Sequence, residues 1–400
     1  MNDFEQMKLW DTPKFKIDKP IRLIELFAGI GSQAKALERL GADFEHYRVC
    51  EFDKYAVTSY NAIHGTSFTT SDVTKITVDD LGIVDTDRFN YILTYSFPCQ
   101  SLSTAGKGEG MAKGSGTRSG LLWEVERLLN ECTELPQVLL MENVINVHGK
   151  KNIEHFEMWI RFLESKGYSN FWADMNARDY KVPQNRNRCF MVSILGDYEY
   201  EFPKPFPLEL RLKDLLEDEV DEKYYLSDKM KNYILDMRNV QKGTKWDGRA
   251  DNDVLNPNVA HTISVRGAGG SQRAGVSNFI VDELDGEIKV KDLKEKLTEP
   301  IVWDGYNQRI RKEQGIIGTL TTNCGADLKR NGFGIIEPSE NLHDLRIRKL
   351  TPKECMRVQD FDDGDYERVK ATGMSDAQIY KQSGNSICVS CLYYIFKQML

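Results

Sequence analysis

Ile21-Arg22-Leu23-Ile24-Glu25-Leu26-Phe27-Ala28-Gly29-Ile30-Gly31-Ser32 decides the fold. Its first seven residues are mainly apolar and read as a buried strand. Ala28 to Ser32 is a tight turn, and Gln33 to Leu40 reads as a helix ending near Gly41. A second short strand, Tyr47-Arg48-Val49-Cys50, runs into Glu51-Phe52-Asp53, and a helix with aromatic spacing (Tyr55, Ser59, Tyr60) follows. Strand, glycine turn, helix, strand and acid form a dinucleotide-type βαβ unit. Gly29, Gly31 and Ala34 match the G-x-G-x-x-G/A spacing, and Glu51 lies twenty residues beyond Gly31. The glycines let backbone approach a ligand, and the acid can chelate a ribose diol. The unit predicts an adenosine-containing cofactor, NAD among the candidates. The alternative is an ordinary βαβ turn with a surface glutamate.

Working outward, Asp72-Val73 could set a carboxylate on an adenine amino group and an apolar side chain on its ring, or Asp72 could simply cap a turn. Tyr91 to Tyr95 reads as another buried strand, followed by Ser96-Phe97-Pro98-Cys99-Gln100 and a loop dense in glycine from Gly106 to Gly120. Strand ends are where ligands bind in open α/β sheets, and glycine-rich loops supply lids. A thiol there becomes a nucleophile if its surroundings favour the thiolate; otherwise Cys99 is one more small buried hydrophobe. Val138-Leu139-Leu140-Met141 repeats the pattern, with Glu142 just past an apolar strand. Arg186 and Arg188 precede the strand Cys189 to Ile194, and their alternation predicts that only one points to a given face.

Composition sets the outer bounds. Four hundred residues are enough for two domains, and 40% hydrophobic with 28% charged content is globular. No apolar run approaches a membrane span, and the acidic start Met1-Asn2-Asp3-Phe4-Glu5 lacks a signal-peptide core, so the expected compartment is cytoplasmic. The eight cysteines have no disulfide-framework spacing. Cys388 and Cys391 form the only C-x-x-C; without a second ligand pair they read as core cysteines, and no metal is expected. A net charge of -8 argues mildly against nucleic acid, yet residues 237–281 hold six bases against three acids, and binding needs only a local basic face.

Pro203, Pro205 and Pro207 read as a linker. Residues 209–344 differ from the first half, with short strands, glycines and polar loops. Thr262-Ile263-Ser264 before Arg266-Gly267-Ala268-Gly269-Gly270, and Thr319-Leu320-Thr321 before Cys324-Gly325-Ala326, form an approximate internal repeat, which could equally be a pair of hairpins. Arg348 to Cys355 carries a capping signature: Thr351 as N-cap, Pro352 at N1 and Glu354 at N3. Ser383-Gly384-Asn385-Ser386-Ile387 is expected to open a final apolar helix whose N-terminus suits a ligand.

Taken in order, Phe27 to Gly31, Glu51, Asp72, Phe97-Pro98-Cys99-Gln100, Met141-Glu142-Asn143-Val144, Gln184 to Arg188, Arg348 to Cys355 and Gly384-Asn385-Ser386 make the chain resemble the cytosine-5 DNA methyltransferase family along most of its length. The loop Gly114 to Glu124 resembles the CpG-type bacterial and mollicute members. The resemblance implies a Rossmann-like α/β catalytic domain, with a mixed, mostly parallel sheet and helices on both faces, from residues 1–205 and 345–400. It implies a smaller, mainly β target-recognition domain at 206–344. It implies S-adenosyl-L-methionine as cofactor, held by Phe27, Ala28, Gly29, Ile30, Gly31, Glu51, Phe52, Asp72, Val73, Pro98, Asn385 and Ser386. Phe52 stands where the family often has tryptophan. Catalysis falls to Cys99 as nucleophile, to Glu142, and to Arg186 and Arg188 around a flipped-out cytosine. Duplex DNA contacts fall to Gln100, Ser103, Arg118, Arg266, Thr319 and Leu320, with Thr262-Ile263 an unusual second recognition landmark. A monomer in solution and a restriction-modification or phage role are expected. The rivals are a tRNA cytosine-5 methyltransferase, an inactive DNA-binding protein, and an NAD oxidoreductase, which would leave Cys99, Glu142 and Arg188 without roles.

Overall fold

The computed structural model describes residues 12–102, 109–225, 227 and 348–400, together with the backbone of strands at 301–304, 309–310, 317–318, 333–336 and 347. The centre is a six-stranded sheet. Its strands are β1 (Ile21–Leu26), β2 (Phe44–Cys50), β3 (Asn90–Tyr95), β4 (Val138–Val144), β5 (Tyr168–Asn176) and β7 (Asn187–Leu195), and β6 (Gln184–Asn185) lies outside it. The spatial order is β2-β1-β3-β4-β7-β5. Strands β2, β1, β3 and β4 run parallel, while β7 is antiparallel to both β4 and β5. The chain steps outward from β1 to β2 and then returns to β3 on the other side of β1. That reversal opens a crevice beyond the carboxyl ends of β1 and β3.

Alternation along the strands feeds two cores. Ile21, Leu23, Ile92, Val138 and Leu140 face one side, where they pack with helices α1 (Ser32–Leu40) and α9 (Val389–Lys397). Ile24, Leu26, Tyr91, Leu93, Leu139 and Met141 face the other, against α4 (Leu122–Glu131) and α5 (Ile153–Ser165). Each such side chain contributes about 1.5–3 kcal/mol on full burial, so covering both faces holds the parallel strands inside the protein. The remaining helices among the described residues are α2 (Lys54–His64), the single turn α3 (Val78–Leu81), α6 (Pro352–Val358), α7 (Asp363–Ala371) and α8 (Asp376–Asn385). Helices occupy both faces of a mixed, mostly parallel sheet, as expected.

The Thr351 cap is present as read: its hydroxyl accepts from Glu354 N–H at 3.1 Å, and Glu354 Oε2 accepts from Thr351 N–H at 2.8 Å. Residues 212–217 pack on this helix, with Leu212 buried beside Leu350 and Cys355 and Glu217 N–H donating to Glu354 at 2.9 Å. A second sheet, ordered β12-β11-β8-β9, joins β8 (Ile301–Asp304), β9 (Arg309–Ile310), β11 (Phe333–Ile336) and β12 (Ile347–Lys349) through antiparallel pairs. The two-residue β10 (Ile317–Gly318) pairs with β6.

Three local expectations change. Ser383 to Asn385 closes α8 rather than opening the last helix, which begins at Val389 after Cys388. Asn385 and Ser386 therefore come from a helix C-terminus, and the helix-dipole argument for a ligand there fails. Glu142 lies within β4, paired with Phe190 of the antiparallel β7, not beyond the strand end. Strand β2 is longer than read: it starts at Phe44, ahead of Tyr47, because parallel pairing with Ile21 to Leu23 of β1 extends it backward.

Candidate active site

The glycine turn is built by backbone conformation. Phe27, Gly29 and Gly31 all have positive φ, at 59°, 57° and 83°. A Cβ on Gly29 would meet nothing within 4 Å, whereas one on Gly31 would lie 2.2 Å from His64 Nε2 and 2.7 Å from Tyr60 Cε2. Gly29 thus leaves open space on the ligand side, and Gly31 allows helix α2 to close behind. Glu51, at the end of β2, accepts from Gly29 N–H at 2.9 Å and from Asp53 N–H at 2.8 Å. Asp53 caps α2 through Tyr55 N–H at 2.9 Å and receives Lys381 Nζ of α8 at 2.7 Å.

One cavity of about 1010 Å³ runs past this turn. Phe27, Ala28, Gly29, Ile30, Glu51, Phe52, Asp72, Val73, Pro98, Cys99, Gln100, Arg118, Glu142, Arg186, Arg188, Asn385 and Ser386 all reach its wall. Gly31 does not; it is pressed on His64. Ser103, Arg266, Thr319, Leu320 and Thr262 lie outside the described residues. Phe52 is 78% exposed, an unpaired aromatic face at the cavity edge. Asp72 accepts from Thr74 N–H at 3.0 Å and Thr74 Oγ1 at 2.8 Å, so it caps a turn while its edge faces the cavity. An open glycine cradle, a carboxylate fixed by backbone and an exposed aromatic ring together suit a nucleoside-bearing cofactor.

The other end of the cavity holds the reactive groups. Cys99 follows β3 in a segment tied from three sides. Asn143 Nδ2 donates to Phe97 O at 2.9 Å, Ser119 Oγ to Pro98 O at 2.7 Å, and Leu102 N–H to Cys99 O at 3.0 Å. Burial pushes the thiol above its ordinary value; Arg188 and Arg186 pull it down and Glu142 pushes it up. Glu142 is only 8% exposed, and burial raises its carboxyl against the pull of Arg188 and Arg186. Arg188 Nε sits 3.2 Å from Glu142 Oε1. Arg186 is buried and held down to about 9, by burial first and then by the like charge of Arg188. Its guanidinium donates to Ser386 O at 2.6 Å and Gly384 O at 3.2 Å.

The two arginines therefore do not part to opposite faces. Residues two apart in an extended chain share a face, so their spacing brings both side chains to the cavity even though Arg186 sits in the bend between β6 and β7. Arg186 braces the Gly384–Ser386 corner, while Arg188 pairs with Glu142. Asn143, Ser119 and Lys381 had no assigned role in the sequence. Asn143 sits within a quoted stretch, but nothing local announces the bonds that Ser119 and Lys381 make 21 and 328 residues away.

The family model for C-5 cytosine-specific DNA methylase matches residues 21–400. The type II methyltransferase M2.ScrFI of Lactococcus lactis subsp. cremoris is 31% identical over 307 residues, which is 76% of this chain and 65% of that protein. The orphan methyltransferase M.SPBetaI of Bacillus phage SPbeta is 28% identical, over 95% of this chain and 97% of its own length. Among solved structures, the Entamoeba histolytica methyltransferase EhMeth aligns with a TM-score of 0.63 at 15% identity, covering 96% of this chain and 98% of that one. At that identity the likeness concerns the fold. No helix among the described residues is long and apolar enough to cross a membrane.

Proposed function

This chain belongs to the C-5 cytosine-specific DNA methylase family, and we propose that it transfers a methyl group to carbon 5 of a cytosine flipped out of duplex DNA. The observation that carries this reading is the cavity joining the Phe27–Gly31 turn to Cys99, Glu142 and Arg188. S-adenosylmethionine, when bound at the turn, supplies an electrophilic methyl group. Glu51 then takes the ribose, Phe52 and Val73 the adenine faces, Asp72 its amino group, and Asn385 and Ser386 the far wall.

Cytosine is a poor carbon nucleophile. The Cys99 thiolate adds to carbon 6, forming a C–S bond and moving an electron pair to carbon 5. Carbon 5 takes the methyl group as the sulfonium–methyl bond breaks, and S-adenosylhomocysteine is left. The carbon-5 proton passes to a base from solvent, the C–S bond breaks, and the thiolate returns. Glu142 holds ring nitrogen 3 and the exocyclic amine, where charge changes during addition. Arg188, paired with Glu142 in the empty pocket, contacts oxygen 2 of the bound base. The base must leave the stack because both ring faces are covered within it.

Residues 206–344 serve as the target-recognition domain, with Arg266, Thr319 and Leu320 reading DNA beside Gln100, Ser103 and Arg118. The protein acts in the cytoplasm as a monomer in a restriction-modification or phage setting. The test is transfer of labelled methyl from S-adenosylmethionine to unmodified duplex DNA, read at base resolution by bisulfite sequencing. Methylated cytosines in one short context are expected. Transfer to tRNA but not to DNA would replace the substrate, and no transfer to either would refute the reading.

A further inference from the structure

Behind the glycine turn, away from the cavity wall, three side chains from three elements converge. Glu38 of α1, His46 of β2 and His64 of α2 hold their ligand-type atoms within 4.8 Å of one another. Glu38 Oε1 lies 2.6 Å from His64 Nδ1 and 3.7 Å from His46 Nε2. Neither the proposed chemistry nor the donor site uses any of the three.

The remaining ring nitrogens are already engaged. His64 Nε2 lies 3.1 Å from the Ile30 carbonyl oxygen, which can only accept, so Nε2 carries a proton. His46 Nδ1 lies 2.9 Å from the Tyr60 hydroxyl, which is itself hydrogen-bonded to the buried Glu25 carboxyl, so Nδ1 is engaged there. Each imidazole is thus oriented by a partner on its far nitrogen, and its other nitrogen faces Glu38, at His64 close enough (2.6 Å) to share a proton that a bound ion would displace. Metal-binding histidines are backed in this way, one ring nitrogen donating to a carbonyl or oxygen and the other left for the ion.

We propose that Glu38, His46 and His64 form a site for a divalent transition-metal ion of the zinc class. A tetrahedral zinc with ligands at about 2.0–2.1 Å sets its ligands about 3.3 Å apart, and the 2.6 and 3.7 Å spacings bracket that value. Glu38 supplies the adjustment, since its side chain is 31% exposed on a helix surface, while that of His64 is fully buried. The nearest cation, Lys35, is 3.8 Å from the other Glu38 oxygen and is itself neutralised by Asp362 and Asp365, each at 2.9 Å. Two histidines and one carboxylate leave a fourth position for water on the solvent side. Through the His64–Ile30 bond, the ion would stiffen the glycine turn from behind.

The test titrates the full chain, freed of metal by chelator, with cobalt(II) and then displaces it with zinc. The seven free cysteines among the described residues make the ligand type the deciding readout. One equivalent of cobalt with visible d–d bands and no thiolate charge-transfer band is expected. His46→Gln and Glu38→Gln, both at partly exposed positions, should weaken that uptake at least ten-fold with an unchanged circular dichroism spectrum. No stoichiometric uptake, uptake with a thiolate band, or uptake that both variants leave unchanged would overturn the proposal. These readouts do not depend on methyl transfer, so the site stands or falls apart from the proposed function.

Discussion

Gly29 and Gly31 sit two residues apart in one turn, both with positive φ, yet the structure gives them opposite duties. Replacing Gly31 with alanine forces a left-handed φ of 83° on a residue with a Cβ, a cost of about 1–2 kcal/mol. The same Cβ lands 2.2 Å from His64 Nε2 and 2.7 Å from Tyr60. His64 cannot swing away, because its ring is buried and held by Glu38 and the Ile30 carbonyl. Overpacking of this kind adds about 1–3 kcal/mol, so Gly31→Ala should destabilise the protein by about 2–5 kcal/mol. Gly29→Ala carries only the backbone cost of about 1–2 kcal/mol, since its Cβ meets nothing. That methyl instead projects from the cavity wall, where it should weaken S-adenosylhomocysteine binding. Urea unfolding followed by circular dichroism separates the two stabilities, and calorimetric titration separates the two affinities. Equal shifts of the unfolding midpoint, or full ligand affinity in Gly29→Ala, would refute the division of roles.

Cys99→Ser should abolish methyl transfer while DNA binding persists, checked by labelled-methyl assay and gel shift; retained turnover would sink the thiol mechanism. Glu142→Gln should slow single-turnover transfer more than it weakens donor affinity, and an unchanged chemical rate would contradict its role. In the free protein, Cys99 should be alkylated more slowly at neutral pH than free cysteine, because burial and Glu142 disfavour its thiolate. Peptide mass spectrometry should show this rate rising with pH, faster in Glu142→Gln and slower in Arg188→Met. Arg348 and Glu354 form a buried two-bond pair at 2.8 and 2.9 Å, so Arg348→Met should cost about 3–5 kcal/mol by stranding the carboxylate, as measured by urea unfolding.

The βαβ unit was legible because its signals are local. Apolar runs, glycines and the acid at the end of β2 each constrain their own few residues, and the turn formed where they pointed. Thr351 and Glu354 were legible for the same reason. Ser383-Gly384-Asn385 suits both a helix end and a helix start, so local sequence does not decide that Asn385 and Ser386 sit at a helix C-terminus. Arg186 and Arg188 reach one cavity because side chains two residues apart share a face, the reverse of the parting expected of them. The bonds from Ser119, Asn143 and Lys381 had no local signature, since each joins segments that only the folded sheet brings together.

The arginine pair shows what those long-range bonds accomplish. Two guanidiniums beside a thiol would by themselves favour a thiolate at all times. Here Arg186 is committed to the Gly384 and Ser386 carbonyls, and Arg188 lies 3.2 Å from Glu142. Burial disfavours the Cys99 thiolate first, and the Glu142 carboxylate offsets part of the positive charge that the sulfur would otherwise feel. A ring that engages Glu142 through its own nitrogen and amine competes with Arg188 for that carboxylate. Occupancy by the right base then shifts the balance of charge at Cys99 toward the thiolate. In the proposed reaction the nucleophile is thereby coupled to the group that holds the target base, and the empty pocket disfavours the thiolate.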